Sequence, residues 1–131
     1  MPVAITALYA SIMALLLVAL AVNVTVHRNK LSVLFGDGAK PQMTRMVRLH
    51  GNAVEYLPIG IVLMGLYELN RGLPIALHLT GIVLIVARLI YIAGVWNSDT
   101  VTAGRGIGIV LTWVTIIALA VLNLWQISGQ M

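Results

Sequence analysis

No cysteine occurs in the 131 residues. That excludes disulfides, a thiolate nucleophile supplied by the chain and cysteine-ligated metals, and it leaves the redox compartment open. Any thiol chemistry must therefore be brought by a substrate. Charge is almost as scarce: 9% of residues are Asp, Glu, Lys or Arg, against roughly 25% in a soluble domain. Such a chain cannot cover a water-facing surface in the usual way. Acids are the rarest, four against eight Lys and Arg. An isoelectric point near 10.0 would point to nucleic acid in a soluble protein. Here the basic residues stand at the edges of apolar runs, so topology and an anionic ligand explain them, and no nucleic-acid partner is expected. His50 has no metal-ligand spacing to another His or carboxylate beyond Glu55 at i+5, so no metal site is expected. Gly104, Gly106 and Gly108 form GRGIG without a preceding strand, which argues against a dinucleotide fingerprint.

What remains is apolar. Hydrophobic residues make up 60% of the chain, and the mean hydropathy is +1.00. Val3 to Val26 carries no charge and exceeds the roughly 20 residues that cross a bilayer core. It lacks the basic n-region of a cleaved signal peptide, so a retained first helix is expected. His27, Arg28 and Lys30 mark its end, and GDGAKP (Gly36 to Pro41) signals a turn. A second helix is expected over 43–69, stopped by Asn70, Arg71 and Gly72. Pro74 suits the first turn of a third helix over 74–96. Asn97 to Thr100 offer capping chemistry for a fourth over 103–127. The expected architecture is all-α: residues 1–131 as a single four-transmembrane-helix bundle. Arg28, Lys30, Lys40 and Arg45 flank the first connection and Arg105 the third, whereas only Arg71 marks the second. The positive-inside rule then puts both termini outside and the first and third connections in the cytoplasm.

The chemistry concentrates in RMVRLHGNAVEYLPIGIVLMGLY, Arg45 to Tyr67. On a helix Arg48, Asn52 and Glu55 stand at i, i+4 and i+7, with Tyr56 four beyond Asn52, so the four share one stripe and can converge on one ligand. Arg88 and Tyr91 share a face of the third helix. An ionisable group at membrane depth costs several kcal/mol unless paired or hydrated. Glu55 could simply lock helices by pairing with Arg48 or Arg88. One carboxylate cannot answer Arg48, Arg88 and Arg105, however, and a pocket with that excess favours an anion.

Arg48-Leu-His-Gly-Asn52-Ala-Val-Glu55-Tyr56-Leu-Pro58 resembles the helix-2 signature of the MAPEG superfamily, the membrane-associated proteins of eicosanoid and glutathione metabolism. Arg88-Leu-Ile-Tyr91 resembles its helix-3 motif, and the likeness to its short bacterial members and microsomal glutathione transferases covers nearly the whole chain. The resemblance implies a homotrimer with glutathione, as cosubstrate, bound between subunits. It implies a transferase or peroxidase acting on lipophilic electrophiles or lipid hydroperoxides in a bacterial inner membrane, with the active site toward the cytoplasm by the positive-inside rule. By that resemblance Arg48, His50, Asn52, Glu55, Tyr56, Arg88 and Tyr91 hold glutathione, joined by Arg28 from the end of helix 1. Arg105 would be catalytic, matching the arginine that stabilises the thiolate in the family's eicosanoid enzymes. Val95 replaces an aromatic found in those enzymes, which counts against carrying over their substrate. Two other readings stand beside this one: a non-catalytic lipid- or partner-binding protein of the same fold, and a small multidrug transporter. The transporter needs an acid-dominated cation site, and here arginines outnumber the carboxylate.

Overall fold

The structure, a computed structural model, describes residues 2–129. It consists of α1 (Ala4–Leu31), α2 (Pro41–Leu69), α3 (Pro74–Trp96) and α4 (Ala103–Ser128), with no strand among the described residues. All four helices are long and apolar enough to cross a membrane. The fold is an all-α bundle of membrane-spanning helices.

α1 outruns the end expected from its apolar residues and continues to Leu31. Arg28 and Lys30 end the hydrophobic run but not the helix, because cations are favourable beside the carbonyls of a last turn. The stop comes at Ser32, left-handed at φ 52°. There the N–H of Val33 donates to the Arg28 carbonyl (3.0 Å) and that of Ser32 to the Asn29 carbonyl (3.4 Å), satisfying two orphan acceptors. α2 opens on Pro41, where a missing N–H costs nothing. Its approach is ordered by Asp37, whose carboxylate accepts from the Thr44 hydroxyl (2.8 Å) and the Ala39 N–H (3.0 Å). Those bonds, Thr44 first, hold the Asp37 carboxyl below its ordinary range. At the far end, Glu68 accepts from the N–H groups of Ile5 (2.9 Å) and Thr6 (2.7 Å). A carboxylate from α2 thus caps the first turn of α1, supplying the acid that α1 itself lacks there.

α2 packs against all three other helices, α1 also meets α3, and α1 and α4 do not touch. Met13, Met43, Leu57, Met64, Leu77, Leu84 and Leu119 are sealed in the core. The outer faces, such as Leu15 and Val18 on α1 or Val114 and Ile117 on α4, are apolar and exposed, as a lipid-facing wall requires. The closest approach is between α3 and α4. A Cβ on Gly108 would stand 2.7 Å from the Ala87 carbonyl oxygen, and one on Gly94 would stand 2.4 Å from the Arg105 nitrogen. GRGIG is therefore a packing seam: Gly104 and Gly108, four apart, let two helix backbones meet. That contact brings the start of α4 against the end of α3 and positions the site.

Candidate functional site

Arg88 sits at the centre of the polar interior, 1% exposed. One guanidinium nitrogen donates to the Asn52 amide oxygen at 2.5 Å. The other donates to the Gly108 carbonyl at 3.1 Å and to the Thr112 hydroxyl. The ring faces of Tyr91 and Tyr56 lie 5.2 and 5.9 Å from its central carbon. α2, α3 and α4 all contribute, and every acceptor is neutral.

Glu55 takes no part. It is exposed and forms no ion pair among the described residues, so the alternative in which it locks helices by pairing with Arg48 or Arg88 is not realised among them. Helical geometry explains this. At about 100° per residue, Glu55 lies about 60° to one side of Asn52 and Arg48 about 40° to the same side, while Tyr56 lies about 40° to the other. The α2 stripe straddles the edge of the helix contact. Asn52 is buried, Tyr56 half-buried, Arg48 and Glu55 exposed.

Beside this cluster opens a cavity of about 530 Å³, walled by Thr44, Arg45 and Arg48 of α2, Tyr91 and Val95 of α3, Ser98 and Asp99 of the third connection, and Arg105 of α4. Arg45 and Asp99 form an ion pair across it. Tyr91 belongs to both layers: it lines the cavity and covers Arg88. Arg105 is the third residue of α4. Its N–H donates to the Thr102 side chain at 3.2 Å, and the Thr102 hydroxyl donates in turn to the Gly94 carbonyl at 2.6 Å. The cap of α4 is thus Thr102 rather than the expected Asn97 to Thr100. The reason is spacing: the cap hydroxyl must stand two or three residues before the N–H it serves, and α4 starts at Ala103.

Of the residues singled out by sequence, Arg48, Tyr91 and Arg105 meet at the cavity, and Asn52, Tyr56 and Arg88 form the layer beneath. His50 is half-buried and Glu55 is exposed; neither lines the cavity wall. Arg28 lies elsewhere in the chain. It borders a separate groove of about 370 Å³ with Thr25, Asn29 and Ser32, and it donates to the Leu34 and Gly36 carbonyls at 3.3 and 2.9 Å. Sequence reasoning used Arg45 only as an orientation marker and Asp99 only as a capping residue. Arg45 stands one helical turn before Arg48, a spacing that places both on one face. Nothing local links it to Asp99. Thr112 carried no signal at all.

The class defined by four membrane-crossing helices and an arginine-lined cavity between two of their connections is also reached by comparison of sequences. Residues 6–125 match the model of the MAPEG family, and the chain belongs to that family. It is 35% identical over 127 residues to inner membrane protein YecN of Escherichia coli strain K12, covering 97% of this chain and 95% of that protein. The same figures hold for inner membrane protein YecN of Escherichia coli strain CFT073.

Proposed function

We propose that this protein binds glutathione in the arginine cavity, ionises its thiol and presents the thiolate to lipophilic electrophiles or lipid hydroperoxides that arrive through the membrane. The observation that carries this reading is the charge of the cavity wall, where Arg45, Arg48 and Arg105 face a single acid, Asp99. Glutathione as its thiolate carries two carboxylates, one sulfur anion and one ammonium. Three cations and one anion on the wall answer three anions and one cation on the ligand. A volume of about 530 Å³ lies within the roughly 300–1,000 Å³ usual for small-molecule sites. MAPEG includes glutathione transferases, which agrees with this reading.

The chain's own contribution to the chemistry is electrostatic. Arg105 projects from the first turn of a helix, where the positive end of the dipole adds to its charge. A guanidinium beside sulfur favours the thiolate and lowers the thiol pKa. In conjugation, the sulfur lone pair forms a C–S bond. The leaving group then departs with its electron pair; where the electrophile is an activated double bond, its π electrons shift to the adjacent carbon, which takes a proton. With a hydroperoxide, sulfur takes the terminal oxygen as the O–O bond breaks. A lipid alcohol leaves, and a second glutathione converts the sulfenic acid to disulfide and water. Bidentate arginine contacts to the carboxylates hold the tripeptide still meanwhile.

Assembly as a homotrimer belongs to the same proposal. Glu55 is an exposed carboxylate on a membrane-spanning helix, beside the exposed Val54, Pro58 and Ile59. Facing lipid, it would carry a penalty of several kcal/mol; a neighbouring copy removes it. We also assign the protein to a bacterial inner membrane, as the names of its relatives read. The end bearing Arg28, Lys30, Lys40, Arg45 and Arg105 faces the cytoplasm by the positive-inside rule.

The test is an ultraviolet difference titration of the detergent-solubilised protein with glutathione. Thiolate absorbance should grow near neutral pH and saturate, and Arg105→Ala should bind glutathione while losing most of that absorbance. Binding without thiolate in the unaltered protein would leave a binding protein and remove catalysis. Unchanged thiolate in Arg105→Ala would remove Arg105 from the mechanism.

A further inference from the structure

Val3, at the head of α1, offers no side-chain acceptor, and no acid stands in the first turn. The N–H groups of Ile5 and Thr6 are orphan donors of that helix. Both go to Glu68 of α2, one to each carboxylate oxygen, at 2.9 and 2.7 Å. Thr6 is 7% exposed, so water cannot replace Glu68 unless the turn moves. The Thr6 hydroxyl is buried there without a partner, a group that the closed packing leaves unsatisfied and that opening would return to water. One turn along α1, the Tyr9 hydroxyl meets Nδ1 of His78, on α3, at 3.0 Å. The Tyr9 ring covers Gly81, where a Cβ would stand 2.5 Å from it. α1 does not touch α4, so Glu68 and His78 reach it from the two helices that hold it. His78 is within electrostatic reach of Glu68. Among the described residues, the other titratable groups at this end are Tyr9, Tyr67, whose hydroxyl accepts the Leu73 N–H (3.3 Å), and the exposed Arg71. α4 brings none: its one ionisable residue, Arg105, lies at the opposite end.

We infer that Glu68 is a proton-operated latch on the start of α1. Ionised, it accepts both N–H groups. Protonated, it loses the charge that strengthens those bonds, and one of its oxygens becomes a donor aimed at another donor. The first turn of α1 then leaves its seat on α2 and α3, and the bundle opens at the end remote from the arginine cavity. His78 sets the point of release. As an imidazolium it favours the charged carboxylate, and its bond to Tyr9 persists because Nδ1–H then donates to the hydroxyl oxygen. The latch is complete above the carboxyl titration and is lost as pH falls through it. It operates whatever the cavity binds.

The experiment is amide hydrogen exchange of the full-length protein in lipid nanodiscs, followed by NMR from about pH 7 to about pH 3, which spans the carboxyl range. Rates are corrected for the intrinsic pH dependence of exchange. In the unaltered protein, Ile5 and Thr6 should lose about tenfold or more of their protection as pH falls, the worth of hydrogen bonds to a charged acceptor. Gly106, whose N–H donates to the Thr102 carbonyl in the first turn of α4, should keep its own. Glu68→Gln should lack the protection of Ile5 and Thr6 at every pH, and His78→Gln should lose it at a higher pH than the parent. Protection that does not change with pH overturns the latch. So does an equal loss at Gly106, which is general acid unfolding, or a Glu68→Gln variant with the parent's pH profile. If Glu68→Gln does not fold, the unaltered protein and His78→Gln decide: a His78→Gln midpoint at or below the parent's overturns the assignment.

Discussion

Arg88 holds a full charge inside the bundle with only uncharged partners, and its side chain suits that role. A guanidinium spreads its charge over a plane with five donors, so it can be met by an amide oxygen, a carbonyl, a hydroxyl and two aromatic faces at once. Asn52 supplies the only contact from α2 that accepts in that plane. Removing one partner of a buried charged hydrogen bond costs about 1–3 kcal/mol. Asn52→Ala should accordingly lower stability by that amount, read as a falling melting temperature in detergent, and should loosen Tyr91, which rests on the same guanidinium. A variant as stable as the parent would show that Arg88 finds its acceptors elsewhere. Asn52 and Tyr56 were legible as neighbours because α-helical spacing aligns them, and Arg88 joined them only through the family resemblance. The outward setting of Glu55 was not legible: it depends on how far α2 is rotated in the bundle.

At the scale of the helices, the site depends on where α4 begins. Its first turn is pressed against Gly94, capped by Thr102 and carries Arg105 into the cavity. Adding one methyl group at Gly94 would set a carbon 2.4 Å from the Arg105 nitrogen, and the obstacle is backbone that cannot swing aside. Gly94→Ala should therefore displace the first turn of α4 and cut glutathione affinity by about tenfold or more while total helicity, read by circular dichroism, stays the same. Parent-like affinity would mean that the cavity tolerates the shift. The first and fourth helices could be read from the sequence because long runs without charge demand a membrane, and the second and third because turn and break residues bound their apolar stretches. Their rotations could not. Both faces of a membrane helix are apolar, so periodicity does not separate the face against lipid from the face against protein. The Gly94 seam, the Glu68 cap on α1 and the Arg45–Asp99 pair all link residues far apart in sequence, and each needs those rotations to be known.

Taken whole, the molecule is asymmetric between its two ends. One end ties α2 to the start of α1 through Glu68; the other gathers arginines round an open cavity. Glu55 lies on an outer face of α2 and has no ion-pair partner among the described residues. Glu55→Gln removes that charge while keeping shape, so it should keep the bundle folded yet lower the need for cover. The variant should populate smaller species than the parent when mass is measured by light scattering in detergent. An unchanged distribution would separate Glu55 from assembly. Arg88 has a consequence of a different order, for the sequence of events in which the protein is made. Its acceptors come from α2, already synthesised when α3 emerges, and from Gly108 and Thr112 of α4, which emerges last. Until α4 arrives, the guanidinium has one of its three hydrogen-bond acceptors, Asn52. The last helix completes the polar interior of the two before it, so the buried network of this small protein closes in one late step.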